Sequence, residues 1–544
     1  MFLIQPCVNL LNSLPLEDKI TLIFPPATLP TSPYSSLPYL RGGLESEGII
    51  VDCIDLNVEA YDYWLSEKYN KDAYSSCYIK WVKSFFKSSE LELLDKEKYS
   101  TAKNYLDNFF NVINKGLNGK SLTLGGYVIS NFRLSSESIN KLAIDEFDPL
   151  SCFYKLYLSQ CEFKSDVIGI SVTYDFQLIP TLLLAFFVKH AHPDFKIILG
   201  GASILYLKDF FINNSWVFDW VDLIIIGDGV AGIKNILKGK KPSLSLCRIG
   251  SNVIEEHYND DSDNNILPYN PNYDGLPLEK YLSPKLTGII MASEGCYYGK
   301  CSFCVPSKGK NFKYHKYSIE NVVLAINHLQ KSLDTDLIFF GDDSIDTKHL
   351  IKILSNLDSD IFWQGEFRIE PVLSNDSLYI LKKKGCLQIL LGLESSSERV
   401  RNLMKKGIKK VDIERILNSC RENNIKVNIQ TIIGFPSETL EESYDTVRFL
   451  YENKNSISSC ALSAFCLYKG SDVYNNPDKY HIEIKTHDFV CEYNPLTGIS
   501  NFQKHKLSKA YFESLSEFIP ANNFFIDGPM GNHAMIYYKH NISI

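Results

Sequence analysis

Three of the chain's fourteen cysteines fall within nine residues, in Cys296-Tyr-Tyr-Gly-Lys-Cys301-Ser-Phe-Cys304. Three thiolates converging from one loop can hold three irons of a [4Fe–4S] cluster and leave the fourth without a protein ligand. An open metal position can take up a substrate or cofactor. Two other readings fit the same residues: three buried free thiols, or a structural zinc site with His315 as fourth ligand. Zinc motifs usually show paired Cys-x-x-Cys knuckles, and this stretch has one. Further candidates stand where apolar runs end. They are Gly341-Asp342-Asp343 after Phe339-Phe340, Arg368 after Gly365-Glu-Phe, Glu394 in Leu391-Gly-Leu-Glu-Ser, and Gln430-Thr-Ile-Ile-Gly434-Phe435-Pro436. Asp342 or Asp343 can pair with an ammonium and Arg368 with a carboxylate. Glu394 suits hydroxyls, and Phe303 suits a flat ring. The plainer alternative is that Asp342, Asp343 and Glu394 cap helices and Phe435 fills core.

These positions need strands that end beside one another. From Leu286 onward, apolar runs at Thr287–Met291, Leu337–Phe340, Ile361–Phe367, Gln388–Leu391, Lys426–Ile433 and Ser459–Phe465 read as strands separated by helices. Ile319, Val322, Val323, Ile326 and Leu329 have the spacing of an amphipathic helix. Thr439 with Glu442 makes a capping box. Six βα units in this span predict an open, partial (β/α)6 barrel with its chemistry at the carboxyl ends of the strands.

The first 240 residues also alternate. Strands are predicted at Ile20–Phe24, Ile49–Ile54, Val167–Val172, Lys196–Leu199 and Val221–Ile226, and helices at Leu37–Gly48, Leu178–His190 and Ala231–Leu237. Residues 59–163 interrupt the series. They carry Trp81, Phe85, Phe86, Tyr105, Phe109 and Phe110 at helical spacing, which predicts an inserted helical subdomain with these rings as its core. The polar stretch at 251–274 marks a linker. The fold class expected is therefore α/β: an N-terminal doubly wound parallel sheet with a helical insert (1–240), a linker (241–284), a partial barrel (285–467) and a small C-terminal α+β region (468–544) as a candidate substrate element.

Of the 544 residues, 56 are Lys or Arg and 64 Asp or Glu, a net charge of −8. Hydrophobic content of 45% and charged content of 22% exclude a disordered or collagen-like chain. With no long basic run, nucleic acid is not expected as a partner. The longest apolar stretch, Thr181–Val188, is too short to cross a bilayer, so no membrane is expected either. Met1–Asp18 lacks the basic start of a signal peptide, and scattered single cysteines suit a reducing cytoplasm.

The ordered set over residues 286–465 resembles the radical S-adenosylmethionine (SAM) superfamily. The first cysteine gap is one residue longer than the family's usual Cys-x-x-x-Cys-x-x-Cys. The resemblance implies Cys296, Cys301 and Cys304 as cluster ligands. It also implies Phe303, Gly341, Asp342, Asp343, Arg368, Glu394, Gln430 and Phe435 around SAM, with Gly341-Asp342-Asp343 in the place of a Gly-Gly-Glu-like segment that receives the methionine ammonium. Residues 20–58 and 164–240 resemble the cobalamin-binding domain attached to many such enzymes. The carriers are Pro25-Pro26, Leu37-Pro-Tyr-Leu-Arg41, Asp55-Leu56-Asn57, Ile168-Gly-Ile-Ser171, Leu199-Gly200-Gly201 and Gly227-Asp228-Gly229. That likeness implies cobalamin contacts from Leu37, Asp55, Asn57, Thr173, Gly200, Gly201, Gly227, Asp228 and Gly229. The Asp-x-His-x-x-Gly signature that supplies a histidine to cobalt is missing.

The expectation is a cobalamin-dependent radical SAM enzyme. It would cleave SAM reductively to a 5′-deoxyadenosyl radical and methylate an unactivated carbon of a small-molecule or peptide substrate, with flavodoxin or ferredoxin as electron donor. Cyclisation, oxidation or rearrangement without methyl transfer is the alternative outcome. A non-catalytic zinc- or cluster-stabilised binding protein is the alternative of another class.

Overall fold

The computed structural model describes residues 18–67, 69, 73–130, 132–240, 242, 244–257, 270–305, 314–486, 490–519 and 532–542. The amino-terminal stretch read against a signal peptide lies outside them. The chain divides into two units, with the boundary between Leu286 and Thr287.

In the first unit, Lys19–Phe24, Ile50–Asp55, Val167–Ser171, Lys196–Gly200 and Leu223–Ile225 form a parallel sheet in the spatial order second, first, third, fourth, fifth. The Ile, Leu and Val runs of the first, third, fourth and fifth strands are buried on both faces, while the second, at the sheet edge, leaves Ile50 exposed. The order reverses between the first and third strands, and this switch point is where such a sheet opens a ligand crevice at its carboxyl edge. Of residues 241–284, expected as a linker, the described ones instead extend this unit. Leu244–Ile249 pairs antiparallel with Leu223–Ile225, and Asn252–His257 pairs with Leu244–Ile249. The chain from residue 270 then packs back: Asn272 N donates to Pro38 O at 2.9 Å, Leu282 N donates to Pro30 O at 2.8 Å, and the Tyr281 hydroxyl donates to Asp55. The alternation in Leu244-Ser-Leu-Cys-Arg-Ile249 was the strand signal, masked by the polar run that follows it.

The insert is helical as expected, with helices at Ala73–Phe86, Lys96–Asn114, Ser136–Ile144 and Pro149–Leu158. It also holds an unforeseen hairpin, Lys120–Thr123 with Gly126–Ile129, turned by Leu124-Gly125. Phe85, Phe86, Phe109 and Phe110 are core, whereas Trp81 is 38% exposed.

In the second unit, Gly288–Ile290, Leu337–Phe340, Phe362–Phe367, Cys386–Glu394, Lys426–Ile433 and Ser459–Ala464 lie side by side in sequence order, all parallel. The sixth strand does not return to the first, so the barrel is open. The helix Ile319–Leu333 buries Val322, Ala325, Ile326, Leu329 and Leu333, and the Thr439–Glu442 capping box forms. The C-terminal region divides its work. Asn501–Ser516 lies along the sixth strand, with Ser508 Oγ donating to Leu462 O at 2.8 Å and Lys504 Nζ to Phe465 O at 2.6 Å. His533–Lys539 closes the floor, where Tyr538 OH, Gln388 Nε2, Ser459 Oγ and Asn428 Nδ2 share hydrogen bonds of 2.8–3.5 Å.

Gly385 opens the fourth strand at φ +87°, and a Cβ there would stand 1.8 Å from Ile361 O. Gly385→Ala is therefore expected to cost about 2–4 kcal/mol through combined strain and backbone clash, read as a lower urea midpoint.

Candidate functional site

The cysteine loop follows the first barrel strand and is tied to the second. The Asp342 carboxylate accepts from Ala292 N at 3.0 Å and from Ser293 Oγ at 2.5 Å, and Gly341 N donates to Ile290 O at 2.8 Å. Burial pushes the Asp342 carboxyl up to about 6 while these donors pull against it. Asp342 thus anchors the loop's entry, and Asp343 is left at the strand end with no hydrogen bond to the described residues. Burial raises the Asp343 pKa.

Cys296, Cys301 and Cys304 lie within electrostatic reach of one another. Burial pushes the Cys301 thiol up and the Cys304 thiol to about 12, so metal binding must displace these protons. Among the described residues, no three His, Cys, Asp or Glu side chains are gathered tightly enough to ligate one ion. Among the described residues, His315 thus does not join the three cysteines in such a group. Three cysteines on one loop are the donor set that a [4Fe–4S] cluster takes when one iron is left without a protein ligand.

The loop is held by a segment that sequence reasoning missed. Four consecutive backbone carbonyls after the helix Glu398–Leu403 accept donors from the site. Leu403 O accepts from Ser302 Oγ at 3.0 Å, Met404 O from Ser302 N at 2.9 Å, Lys405 O from Tyr298 OH at 2.6 Å, and Lys406 O from the Arg368 guanidinium. A helix leaves its last carbonyls without internal partners, and here the cysteine loop supplies the donors. Lys405 at φ +54° and Gly407 at φ +63° turn the chain sharply enough to present all four. Arg368 also lies over the Tyr298 ring, its Cζ 3.3 Å from the centroid.

Lys406 Nζ donates to Glu394 Oε1 at 2.7 Å, and the pair lies over Gly392, where a Cβ would stand 2.6 Å from one partner and 2.7 Å from the other. Burial works against the ammonium, yet the Glu394 carboxylate and Cys301 beside it hold its pKa above the ordinary value. Glu394 is therefore an ion-pair partner as well as a candidate hydroxyl acceptor. Gln430 hydrogen-bonds Glu366, a second residue missed at the sequence level, which points into the barrel from the third strand. Its signal was a lone acid in the strand Phe362-Trp-Gln-Gly-Glu-Phe367. Phe435 is 1% exposed and packs in one core with Phe465, Tyr480 and Tyr493. Phe303 lies partly buried against that core, with Lys406 Nζ 6.0 Å from its ring centroid. Of the expected SAM set, the structure thus leaves Asp343, Arg368, Glu394 and Phe303 facing the cysteine loop's end of the barrel, and places Asp342 and Phe435 in support.

At the first unit's switch point, Asp55 caps the helix Leu56–Trp64, accepting from Asn57 N at 2.9 Å and Val58 N at 3.0 Å. Asn57 Oδ1 accepts from Thr28 N at 2.6 Å, while its buried Nδ2 has no partner. Thr173 is held by Gln177, whose Oε1 accepts from Thr173 N at 3.1 Å and Tyr174 N at 3.0 Å while its Nε2 donates to Pro25 O at 2.7 Å. One fully buried amide thus straps together the two loops that flank the crevice. Leu37 is core, and Asp228 caps the helix Gly229–Leu237. Cβ atoms at Gly200 or Gly227 would meet nothing within 4 Å, whereas one at Gly201, φ +109°, would stand 2.5 Å from Val172 O. Open space beside two glycines at the carboxyl edge of the sheet, and an orphaned amide at the same edge after the second strand, fit a bulky ligand such as cobalamin.

Residues 290–450 match the family model of the radical SAM superfamily. An uncharacterized methyltransferase of Pyrococcus horikoshii is 24% identical over 302 residues, 53% of this chain and 64% of that protein. The anaerobic magnesium-protoporphyrin IX monomethyl ester cyclase of Rubrivivax gelatinosus is 24% identical over 288 residues, 48% and 50% of the respective chains. The chain thus spans less than two thirds of the length of these curated relatives. Among solved structures, the radical SAM methyltransferase TsrM of Kitasatospora setae, with tryptophan and a SAM analogue bound, aligns with a TM-score of 0.61 at 13% identity, over 96% of this chain and 95% of that one. The cobalamin-dependent radical SAM enzyme OxsB with aqua-cobalamin aligns at 0.57 and 12% identity, over 92% and 67%. These likenesses establish the α/β fold, with its doubly wound sheet and open parallel barrel.

Burial pushes the Glu366 carboxyl up to about 7, against its hydrogen bond with Gln430. Folding therefore favours the protonated form. The associated stability is full below the ordinary carboxylate pKa and is lost as pH rises through 7. Glu366→Gln is expected to stabilise the cofactor-free protein by about 1–3 kcal/mol at about pH 8, and to change little near pH 4.5, in urea titrations at the two pH values.

Proposed function

We propose that this chain, whose residues 290–450 match the radical SAM superfamily, is a cobalamin-dependent radical SAM enzyme that methylates an unactivated carbon of a peptide or secondary metabolite. The observation that carries the reading is the cysteine loop itself, three thiols on a loop held by three consecutive carbonyls, with a fourth carbonyl holding the Arg368 guanidinium and the Asp343 carboxylate at the neighbouring strand end. Cys296, Cys301 and Cys304 are the cluster ligands. Asp343 takes the SAM ammonium, Arg368 its carboxylate and Glu394 its ribose hydroxyls, and Phe303 flanks the adenine. Gln430 orients Glu366 in the lumen. When bound at the three cysteines, a [4Fe–4S] cluster would supply the electron that cleaves SAM to methionine and a 5′-deoxyadenosyl radical, and cobalamin in the first unit would supply a methyl carrier.

The chain's own work is positioning and the exclusion of water. Arg368 is aligned by the Lys406 carbonyl and the Tyr298 ring, so its remaining N–H donors meet a carboxylate in one geometry. Lys406 and Arg368 favour the Cys301 thiolate, against burial and the Glu394 carboxylate, which raise its pKa. Helix His533–Lys539 shuts the barrel floor against water. In the first unit, the Gln177 strap holds the crevice for cobalamin between Pro25 and Thr173, with Gly200, Gly201, Gly227 and Asn57 around it. The electron donor is a flavodoxin- or ferredoxin-type protein and the setting the cytoplasm. Among the described residues no helix is long and apolar enough to cross a membrane.

Reconstituted anaerobically with iron, sulfide and hydroxocobalamin, the protein is expected to form 5′-deoxyadenosine from SAM and a strong reductant. Cys301→Ala should reduce that yield to background. Label from methyl-labelled SAM is expected on the cobalamin and then on product. Deoxyadenosine without transferred label would replace methylation by cyclisation or oxidation, and zinc without iron in the purified protein would remove the enzyme reading.

A further inference from the structure

Ser302 stands between two of the three cluster cysteines, is fully buried, and has every polar group occupied. Two of its bonds run to the carbonyls of Leu403 and Met404. The third comes from far along the chain: Val473 N donates to Ser302 O at 3.0 Å. The neighbouring Asp472 fastens the same assembly from the other side. Its Oδ2 lies 2.8 Å from Lys405 Nζ and accepts from Tyr480 OH at 2.6 Å. Ser471 caps this short turn through Tyr474 N at 3.1 Å. Leu467, Val473, Tyr480, Ile482, Cys491 and Tyr493 share one apolar core with Val400, Met404, Phe435 and Phe465 of the barrel, and Phe303 packs against it.

From this geometry we infer that residues 471–480 are a clamp on the cluster loop, with Val473 and Asp472 as positioning residues, so that this part of the C-terminal region serves cluster retention rather than substrate recognition. The inference rests on the proposed cluster at Cys296, Cys301 and Cys304. The Val473 amide saturates Ser302 O, and the Ser302 backbone fixes the directions in which Cys301 and Cys304 project. Asp472 holds Lys405 in its left-handed turn and thereby keeps the Lys405 carbonyl on Tyr298. Loss of either contact leaves the ligands in place but frees the loop that carries them. Partners of this supporting kind characteristically change metal affinity by about 10–100-fold.

The test uses the full-length protein loaded with iron and sulfide, and reads the half-life of its visible iron–sulfur absorption in excess chelator. Asp472→Ala and Val473→Pro are each expected to shorten that half-life about 10-fold. The melting temperature of cofactor-free Asp472→Ala is expected at the parental value, whereas Val473→Pro, at a fully buried core position, lowers it and is compared only where it folds. Parental retention in either folded variant overturns the clamp. Should both variants misfold, hydrogen exchange on the parent decides. Cluster loading is expected to protect 471–480 together with 296–304, and protection confined to 296–304 overturns the inference. Failure of the parent to take up iron and sulfide removes the functional reading and the clamp with it. Uptake by the parent with unaltered retention in the variants removes the clamp alone.

Discussion

Everything at the barrel mouth depends on one arrangement: the end of the helix Glu398–Leu403 lends its unspent carbonyls to a loop that has no regular structure of its own. A nine-residue stretch carrying three thiols cannot hold a shape through thiol contacts, because sulfur is a weak hydrogen-bonding atom. Its geometry must come from the backbone and side-chain donors between the cysteines, Tyr298 and Ser302, and from acceptors already oriented elsewhere. A helix terminus is such an acceptor array. The same turn delivers Lys406 to Glu394 and aligns Arg368, so ligand loop, buried cation and guanidinium share one support.

That dependence explains which parts of the site could be read in the sequence. The cysteines, Asp343, Arg368 and Glu394 were legible because their chemistry resides in side chains clustered at strand ends. Met404-Lys405-Lys406-Gly407 was not, because its contribution is made by carbonyl oxygens that every residue possesses. The trace available was a Gly behind two lysines at a helix end. Asp342 and Asp343 could not be told apart, since adjacent residues at a strand end face opposite ways and only the fold tells which one meets Ala292 and Ser293.

The strand–helix alternation of both units was legible to within a few residues, because buried parallel strands are short apolar runs bounded by Gly, Pro or acids. The two strands at 244–257 and the hairpin at 120–129 escaped. The first were hidden by the polar residues of the outer strand Asn252–His257 and of the stretch that follows, and the second consists of two strands of only four residues each around Leu124-Gly125. The C-terminal region was opaque for a different reason. Its order derives from partners far away in sequence, Val473 on Ser302 and Lys504 on Phe465, and no local pattern encodes such a distance.

The floor plug bears on how the chain is made. His533–Lys539 emerges from the ribosome long after the sixth strand ends at Ala464. At about 5–20 residues per second the delay is several seconds. During that interval the nascent barrel is a tube open below, and an apolar lining would be a hazard for aggregation. Gln388, Asn428 and Ser459 line its lower end instead, so water can solvate the half-made domain until Tyr538 arrives to take its place among them.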